Sequence, residues 1–346
     1  EFIDAAREVD PDIIAVGYRL TAENAAVLLQ DFSAALQEAG LSSKRLVFGG
    51  TPPVAEEARK TGLFEAVFSG EEPNEAVIAY LRGTPLDDMK AEDYPDETIP
   101  RLKWKSPYPL FRHHFGLPGE TIEPTVQGIR HIAEARVLDV ISLGPDQDAQ
   151  ENLFHPERQD PKRRGAGGVP FRSEDDLCAL YEATRTGNYP LMRSYSGTSD
   201  LLEYADLLRR TIRNAWCATS LFWFNVVDGR GPLSLRDSIA DHMALMKWHG
   251  ERNVPVEGNE PHHWELRDGH DAVACASAYI YAYVAKRMGV KDYICQYMFE
   301  TPPHSSNRMD LAKALAKIEL VESQAGPEFR LTRQTRTGLM SYPVAV

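Results

Sequence analysis

A chain of 346 residues, 43% hydrophobic and 26% charged, has the make-up of an ordinary globular protein of about two domains rather than of a fibre or a disordered segment. Its net charge of −13 argues against a nucleic-acid surface, which needs clustered Lys and Arg, but leaves a few local arginines able to hold a small anion. No apolar run is long enough to span a bilayer, the acidic start EFIDAAREVD is unlike a signal peptide, and Cys178, Cys217, Cys275 and Cys295 form no CxxC or CxxxCxxC, so a cytoplasmic protein with buried thiols and no iron–sulfur cluster is expected.

Residues 1–83 alternate strand-like and helix-like runs. Residues 12–20 (DIIAVGYRL) read as a buried parallel strand. Residues 22–39 carry Leu28, Leu29, Phe32 and Leu36 at helical spacing, with Gly40 just past the end. A second strand is expected at 45–50, a short helix at 53–61 stopped by Gly62, a third strand at 64–68 and a helix at 72–82. Such βα units imply a Rossmann-like (flavodoxin-like) parallel sheet. Residues 84–106 are rich in Pro and acid, lack an apolar period and read as a linker. From 107 to 346 the alternation resumes, with strands at 110–115, 138–143, 190–195, 219–225, 254–259, 292–297 and 329–334. The helices between them fall at 120–135, 174–185, 200–213, 235–251, 272–288 and 310–323. Seven such strands fit a (β/α)8 TIM-type barrel better than an open sheet. An eighth strand is not seen and the first domain looks short, so a fragment truncated at both ends is expected.

Barrel strands aim their carboxyl ends at the active site. Those ends carry Arg112-His113-His114, then Ser142 to Gln147, Arg193 to Ser196, Asn225 with Asp228 and Arg230, Glu257 to His263, Gln296-Tyr297, and Arg333, Gln334 and Arg336. A guanidinium fork grips a carboxylate with two parallel hydrogen bonds. Arg112, Arg193 and Arg230, with Tyr195, Asn225 and Gln296, are therefore candidate substrate-binding residues, and Arg333 recurs at a like position. Glu257, Glu260, His263 and His114 are candidates for acid–base work. Some of the arginines could instead pair structurally with Glu257, Glu260 or Asp228. His262 and His263, adjacent on an extended segment, would point opposite ways and chelate a metal poorly, so no metal ligand is assigned. Gly165 to Gly168 read as a mobile rim loop, and Tyr279, Tyr281 and Tyr283 as core and surface of one helix.

In the first domain, Tyr18-Arg19-Leu20 closes the first strand, Gly49-Gly50 closes the second after 28 intervening residues, and Ser69-Gly70 closes the third. Glycine at a strand's carboxyl end lets a bulky ligand lie against backbone N–H groups, and open α/β sheets bind ligands there. With its flanks VGYRLTAEN and LVFGGTPP, this pattern resembles the later half of a cobalamin-binding domain, where S-x-L is followed by G-G. The resemblance implies that Tyr18, Leu20, Gly49, Gly50, Ser69 and Gly70 contact cobalamin. Tyr18 stands where that family has Ser, and the family's D-x-H-x-x-G segment would fall before Glu1. A flavodoxin-like domain with a plain Gly-Gly turn is the competing reading.

The element order from 107 on, the arginines at strand ends and the run RGPLSLRDSIADHMALMKWHGERNVPVEGNEPHHW resemble the catalytic subunits of B12-dependent mutases, such as the large subunit of glutamate (methylaspartate) mutase. The resemblance implies adenosylcobalamin between the two domains, radical rearrangement of a small carboxylate-bearing substrate, and a homodimer or a small partner subunit. Cobalamin-first domain order keeps a corrinoid-dependent methyltransferase open. A cobalamin-binding sensor or carrier with an inactive barrel, and a metal-dependent hydrolase built on His114, His263 and Glu257, are the readings from other classes.

Overall fold

The computed structural model describes residues 2–83, 90–302 and 305–337. Two compact units divide between Met89 and Lys90. In the first unit, α1 (Phe2–Val9), α2 (Ala22–Glu38), α3 (Pro52–Thr61) and α4 (Asn74–Arg82) accompany β1 (Ile13–Tyr18), β2 (Arg45–Gly50) and β3 (Ala66–Phe68). The strands form one parallel sheet in the order β1-β2-β3. The Thr21 hydroxyl caps α2 by accepting from the Asn24 N–H, and Gly62, the expected stop, ends α3 in the left-handed conformation. Leu29, Phe48, Val54 and Ala58 pack the helices onto the sheet.

In the second unit seven strands alternate with helices. In chain order they are α5 (Thr98–Lys105), β4 (Arg112–Phe115), α6 (Glu123–Ala135), β5 (Val140–Leu143), α7 (Gln147–Glu151), α8 (Glu174–Glu182), β6 (Leu191–Ser194), α9 (Leu201–Thr211), β7 (Cys217–Thr219), α10 (Leu235–Glu251), β8 (Val256–Gly258), α11 (Glu260–Glu265), α12 (Asp271–Arg287), β9 (Asp292–Phe299), α13 (Asn307–Glu322) and β10 (Arg330–Thr337). The strands are parallel and neighbours in chain order, in one sheet β4-β5-β6 and another β7-β8-β9-β10. The Ala215 N–H donates to the Met192 carbonyl (2.9 Å) and so carries the chain from β6 to β7. The fold is α/β with parallel sheets, as expected. The sheets do not close, since no strand pairing joins β10 to β4 among the described residues. The expected barrel domain also runs beyond them, through residues 338–346.

Alternate strand residues face opposite ways. Ile141, Leu143 and Met192 pack against Ile129, Leu177 and Leu208 of the helices, and Val256, Tyr293 and Cys295 do so against Leu245, Tyr281 and Val321. The other face brings Val140, Leu191, Trp216, Ala218 and Ile294 together in a separate apolar cluster. Strands from both sheets thus share one interior. Tyr281 is core while Tyr279 and Tyr283 are exposed.

Two expectations are corrected. From Lys90 on, the expected linker belongs to the second unit, and residues 98–105 are a helix (84–89 lie outside the described residues). Its buried face is polar: Thr98, Arg101 and Lys105. The Thr98 hydroxyl donates to the Ala215 carbonyl, the Arg101 guanidinium to the carbonyls of Pro95, Asn188 and Tyr189, and Lys105 Nζ to both Asp139 oxygens at 2.8 and 2.7 Å. Ala215, Tyr189 and Asp139 lie just before β7, β6 and β5, so α5 sits across the amino ends of three strands. The strand expected at 219–225 stops at Thr219. There the Glu260 carboxylate accepts from Ser220 Oγ (2.7 Å) and the Leu221 and Phe222 N–H groups (2.8 and 3.0 Å), drawing the backbone away from its neighbour strand.

Lys105 and Asp139 are both almost wholly buried. Lys105→Met would leave the Asp139 charge unpaired in the interior, which costs about 3–5 kcal/mol. A urea midpoint within error of the parent protein would show that α5 does not hold the amino end.

Candidate active site

Two residues beyond the apolar cluster, on the same strands and the same face, the side chains turn polar. Ser142 follows Val140, Arg193 follows Leu191 and Gln296 follows Ile294. Ser142 Oγ accepts from Arg112 Nη1 (3.0 Å) and from Arg193 Nε (2.9 Å), joining two guanidiniums through one hydroxyl. The Arg193 guanidinium lies over the Tyr195 ring (4.8 Å) and the Trp216 ring (5.6 Å). The wholly buried Glu257 carboxylate accepts from Trp216 Nε1 (2.5 Å) and Gln296 Nε2 (2.7 Å), with Arg193 Nη1 at 3.8 Å. Burial pushes the Glu257 carboxyl up. Arg193, Arg112 and the indole hydrogen bond outweigh it and hold the group below the usual carboxylate range, hence ionised. Burial, then the neighbouring Arg193, brings Arg112 down to about 10, which still leaves it charged at neutral pH.

His114 stacks on Tyr195, ring planes 7° apart, with the phenol oxygen 3.3 Å from Nε2. Burial and then Arg193 and Arg112 depress its pKa to about 2, so the imidazole is neutral. Arg336 on β10 also depresses His114, Arg112 and His262. Three guanidiniums therefore surround one carboxylate. Among the described residues neither Nη of the fully buried Arg193 has a hydrogen-bond partner, Nη1 having only the long ion pair to Glu257. Buried donors of this kind are costly unless an acceptor meets them. The arrangement can grip a carboxylate through Arg193, with Arg112 and Arg336 adding charge.

The other expected residues are deployed differently. Glu260 holds the 220–222 backbone and accepts from Trp264 Nε1 at 2.8 Å, so its oxygens are committed. Asn225 braces its own loop: Nδ2 donates to the Phe222 carbonyl and Oδ1 accepts from the Val227 N–H. Arg230 is paired with Asp228 (2.6 Å) over the Phe224 ring. Arg333 points outward to Glu322 on α13. His262 and His263, expected on an extended segment, lie on α11, where Pro261 starts a helix; their rings are 4.3 Å apart, and His263 packs edge-on to Phe224. No group of three or more His, Cys, Asp or Glu among the described residues is placed to hold a metal ion. Gly165 to Gly168, expected to be mobile, are tied down. The Gly165 N–H donates to buried Asp146, which also takes both Nη of Arg172, and a Cβ at Gly168 would strike the Gly144 carbonyl at 2.1 Å. Trp216 was not singled out from the sequence, and Ser142 was named at a strand end without a role. The inward alternation Trp216, Ala218, Ser220 and Val140, Ser142 was the available signal.

In the first unit, Tyr18 pairs with Gly50 and Gly49 with Phe68, so the expected cofactor residues share the carboxyl edge of one sheet. Leu20 is exposed. A Cβ at Gly49 would meet nothing within 4 Å, whereas one at Gly50 would press on the Tyr18 carbonyl at 2.7 Å. Gly49 thus leaves backbone open to a ligand, while Gly50 serves strand packing. The N–H groups of Ser69 and Gly70 are taken by the Glu72 carboxylate (2.9 and 3.0 Å). Leu20 and Gly49 are open at this edge, whereas the donors of Ser69 and Gly70 are engaged by Glu72.

No protein-family model matches the sequence, and no curated protein matches it. Among solved structures the chain matches that of a cobalamin-dependent S-adenosylmethionine radical enzyme, OxsB, with aqua-cobalamin bound, at 12% identity and a TM-score of 0.28. The match covers 92% of this chain and 45% of that one, so the chain spans under half of that protein's length. No helix among the described residues is long and apolar enough to cross a membrane.

Acid should weaken the fold through its histidines. Burial foremost depresses His114 to about 2, His242 and His249 to about 4, and His262 and His263 well below the ordinary value. A depressed folded-state pKa gives stability that is complete above the unfolded value near 6.5 and is lost as pH falls towards the folded one. The urea midpoint should drop between pH 7.5 and 5.5, and His114→Gln should flatten that slope; an unchanged slope would remove His114 from the buried neutral set. Separately, Glu257→Gln should weaken binding of a carboxylate ligand by misplacing Arg193, while Glu260→Gln should act on stability. A calorimetric titration beside a melting curve distinguishes the two.

Proposed function

We propose that the protein is a cobalamin-dependent enzyme whose second unit is a TIM-type barrel, and that it acts as an adenosylcobalamin radical mutase on a small carboxylate-bearing substrate. The observation that carries the substrate half is Arg193, fully buried at the carboxyl end of β6, neither of whose Nη atoms has a hydrogen-bond partner among the described residues, beside Arg112. Parallel strands in chain order around a shared interior support the barrel. The glycine-edged sheet of the first unit, ending in Tyr18, Gly50 and Phe68, supports a corrinoid.

In this reading Tyr18, Leu20 and Gly49 hold the cofactor. Adenosylcobalamin supplies, when bound, a carbon radical able to take hydrogen from an unactivated position. The chain's own residues bind and orient the substrate. Arg193 receives a carboxylate on its two Nη atoms, which lack hydrogen-bond partners, and Arg112 steadies the same charge. Glu257, fixed by Trp216 and Gln296, keeps Arg193 from turning away. Neutral His114 can donate or accept a hydrogen bond beside Tyr195 without adding charge. The apolar floor of Val140, Leu191 and Ile294 keeps water from the far side of the site.

The test is corrinoid retention on gel filtration, read by absorbance. The protein should retain adenosylcobalamin, and Gly49→Leu should abolish retention with little change in melting temperature, because a Cβ there meets no neighbour. A paramagnetic signal that appears only with a small carboxylic acid would support the mutase. Transfer of the methyl group from methylcobalamin would favour a methyltransferase instead, and failure to retain any corrinoid would sink the proposal.

A further inference from the structure

Between β4 and β10, the two strands that no pairing joins among the described residues, lies a cavity of about 370 Å³. Protein interiors are close-packed, with few voids larger than a water molecule, and this one falls within the ~300–1,000 Å³ range of small-molecule sites. Its walls change character along the strands. Towards the amino ends they are Leu102 of α5, Leu110, Val140 and Ile294, beside Thr332 and Thr98, whose hydroxyl already donates to the Ala215 carbonyl. Towards the carboxyl ends they are Arg112, Gln334 and Arg336. Gln334 Nε2 is buried there with no hydrogen-bond partner among the described residues. Ser142 lies two strand residues beyond Val140, so charged and apolar ends are about 7 Å apart, a drop that a short alkyl chain spans.

Arg112 and Trp216 belong both to this cavity and to the arginine centre above it. Arg112 starts level with Val140 and reaches up to the Ser142 hydroxyl that Arg193 also holds. The Trp216 ring walls the cavity, with the guanidiniums of Arg193 and Arg112 at 5.6 and 6.0 Å from its centre. A ligand charged at one end only matches this gradient. Its anionic group meets guanidiniums and an unpartnered amide, and its apolar part leaves water for a wall of Leu, Val and Ile. A second charge at the far end would be buried on that wall with nothing to pair it, which is costly.

We infer that the substrate is a monocarboxylic acid whose apolar chain descends past Trp216 into this cavity, so that chain length and the lack of a second charge set specificity; this rests on the reading of Arg193 and Arg112 as a carboxylate site. Calorimetric titration of the full chain with propionate, hexanoate and adipate tests it. Each buried methylene tightens binding roughly fourfold, so hexanoate should bind about tenfold or more tightly than propionate. Adipate, with a carboxylate at its far end, should bind about tenfold or more weakly than hexanoate. Leu110→Trp, at a half-buried position on the apolar wall, should bring the hexanoate-to-propionate ratio near one. In the unaltered protein, a hexanoate carrying a diazirine at its far end should crosslink to Leu102, Leu110 or Ile294, a readout that needs no substitution. Affinity independent of chain length, adipate binding as tightly as hexanoate, a ratio unchanged in folded Leu110→Trp, or crosslinks confined to other residues would each overturn the inference and leave the carboxylate reading standing. Failure of all three acids to bind would overturn both.

Discussion

One buried carboxylate governs the centre of the second unit. Glu257 is shut off from solvent, yet its charge persists because guanidiniums surround it and an indole and an amide donate to it. Arg193 is tied to this centre by charge and to Arg112 through the Ser142 hydroxyl. Around Glu257 the guanidiniums of Arg193, Arg112 and Arg336 outnumber the carboxylate, and that local excess can bind an anion. Desolvation sharpens the effect, because in a low-dielectric interior an unmatched donor gains far more from a carboxylate than it would at the surface.

The same device recurs wherever the chain leaves regular structure. Asp139 and Lys105 anchor α5 across the amino ends of the strands. Glu260 collects the backbone donors that β7 gives up, and Asp146 gathers the glycine-rich segment after β5. Each carboxylate replaces hydrogen bonds that a neighbouring strand would otherwise provide. This is how polar loops pack at the ends of an apolar array and still present a defined rim.

Helix α13 shows the reverse. Lys313 and Lys317 are drawn inward by Glu265 and Asp310 beside the buried Ala314 and Val321, while Met309, Leu311 and Leu315 face out. A charged network that orders the interior thereby creates an apolar exterior.

The sequence by itself determined the parallel α/β character, most strands of both units to within a few residues, and the placement of His114 and Arg193 in the last half of their strands; Arg112, expected at a carboxyl end, instead opens β4, and Gln296 lies within β9. It could do so because strand alternation and helical spacing are local patterns in apolar residues. Glycine stops are equally local, which is why the ends of α2 and α3 were bounded to within a residue. Tertiary structure alone decided that 98–105 is a buried helix, since its inward face is Thr, Arg and Lys and shows no apolar period. It decided that the strand at 219 ends early, that Glu260, Asn225 and Arg230 brace a loop, and that Arg333 faces outward. In each case the deciding partner is far away in the chain: Ala215 and Asp139 for α5, Glu260 for the end of β7. A hydrogen bond across forty residues leaves no period in the sequence, so only the folded chain shows which polar side chains are structural and which are left with unmatched donors.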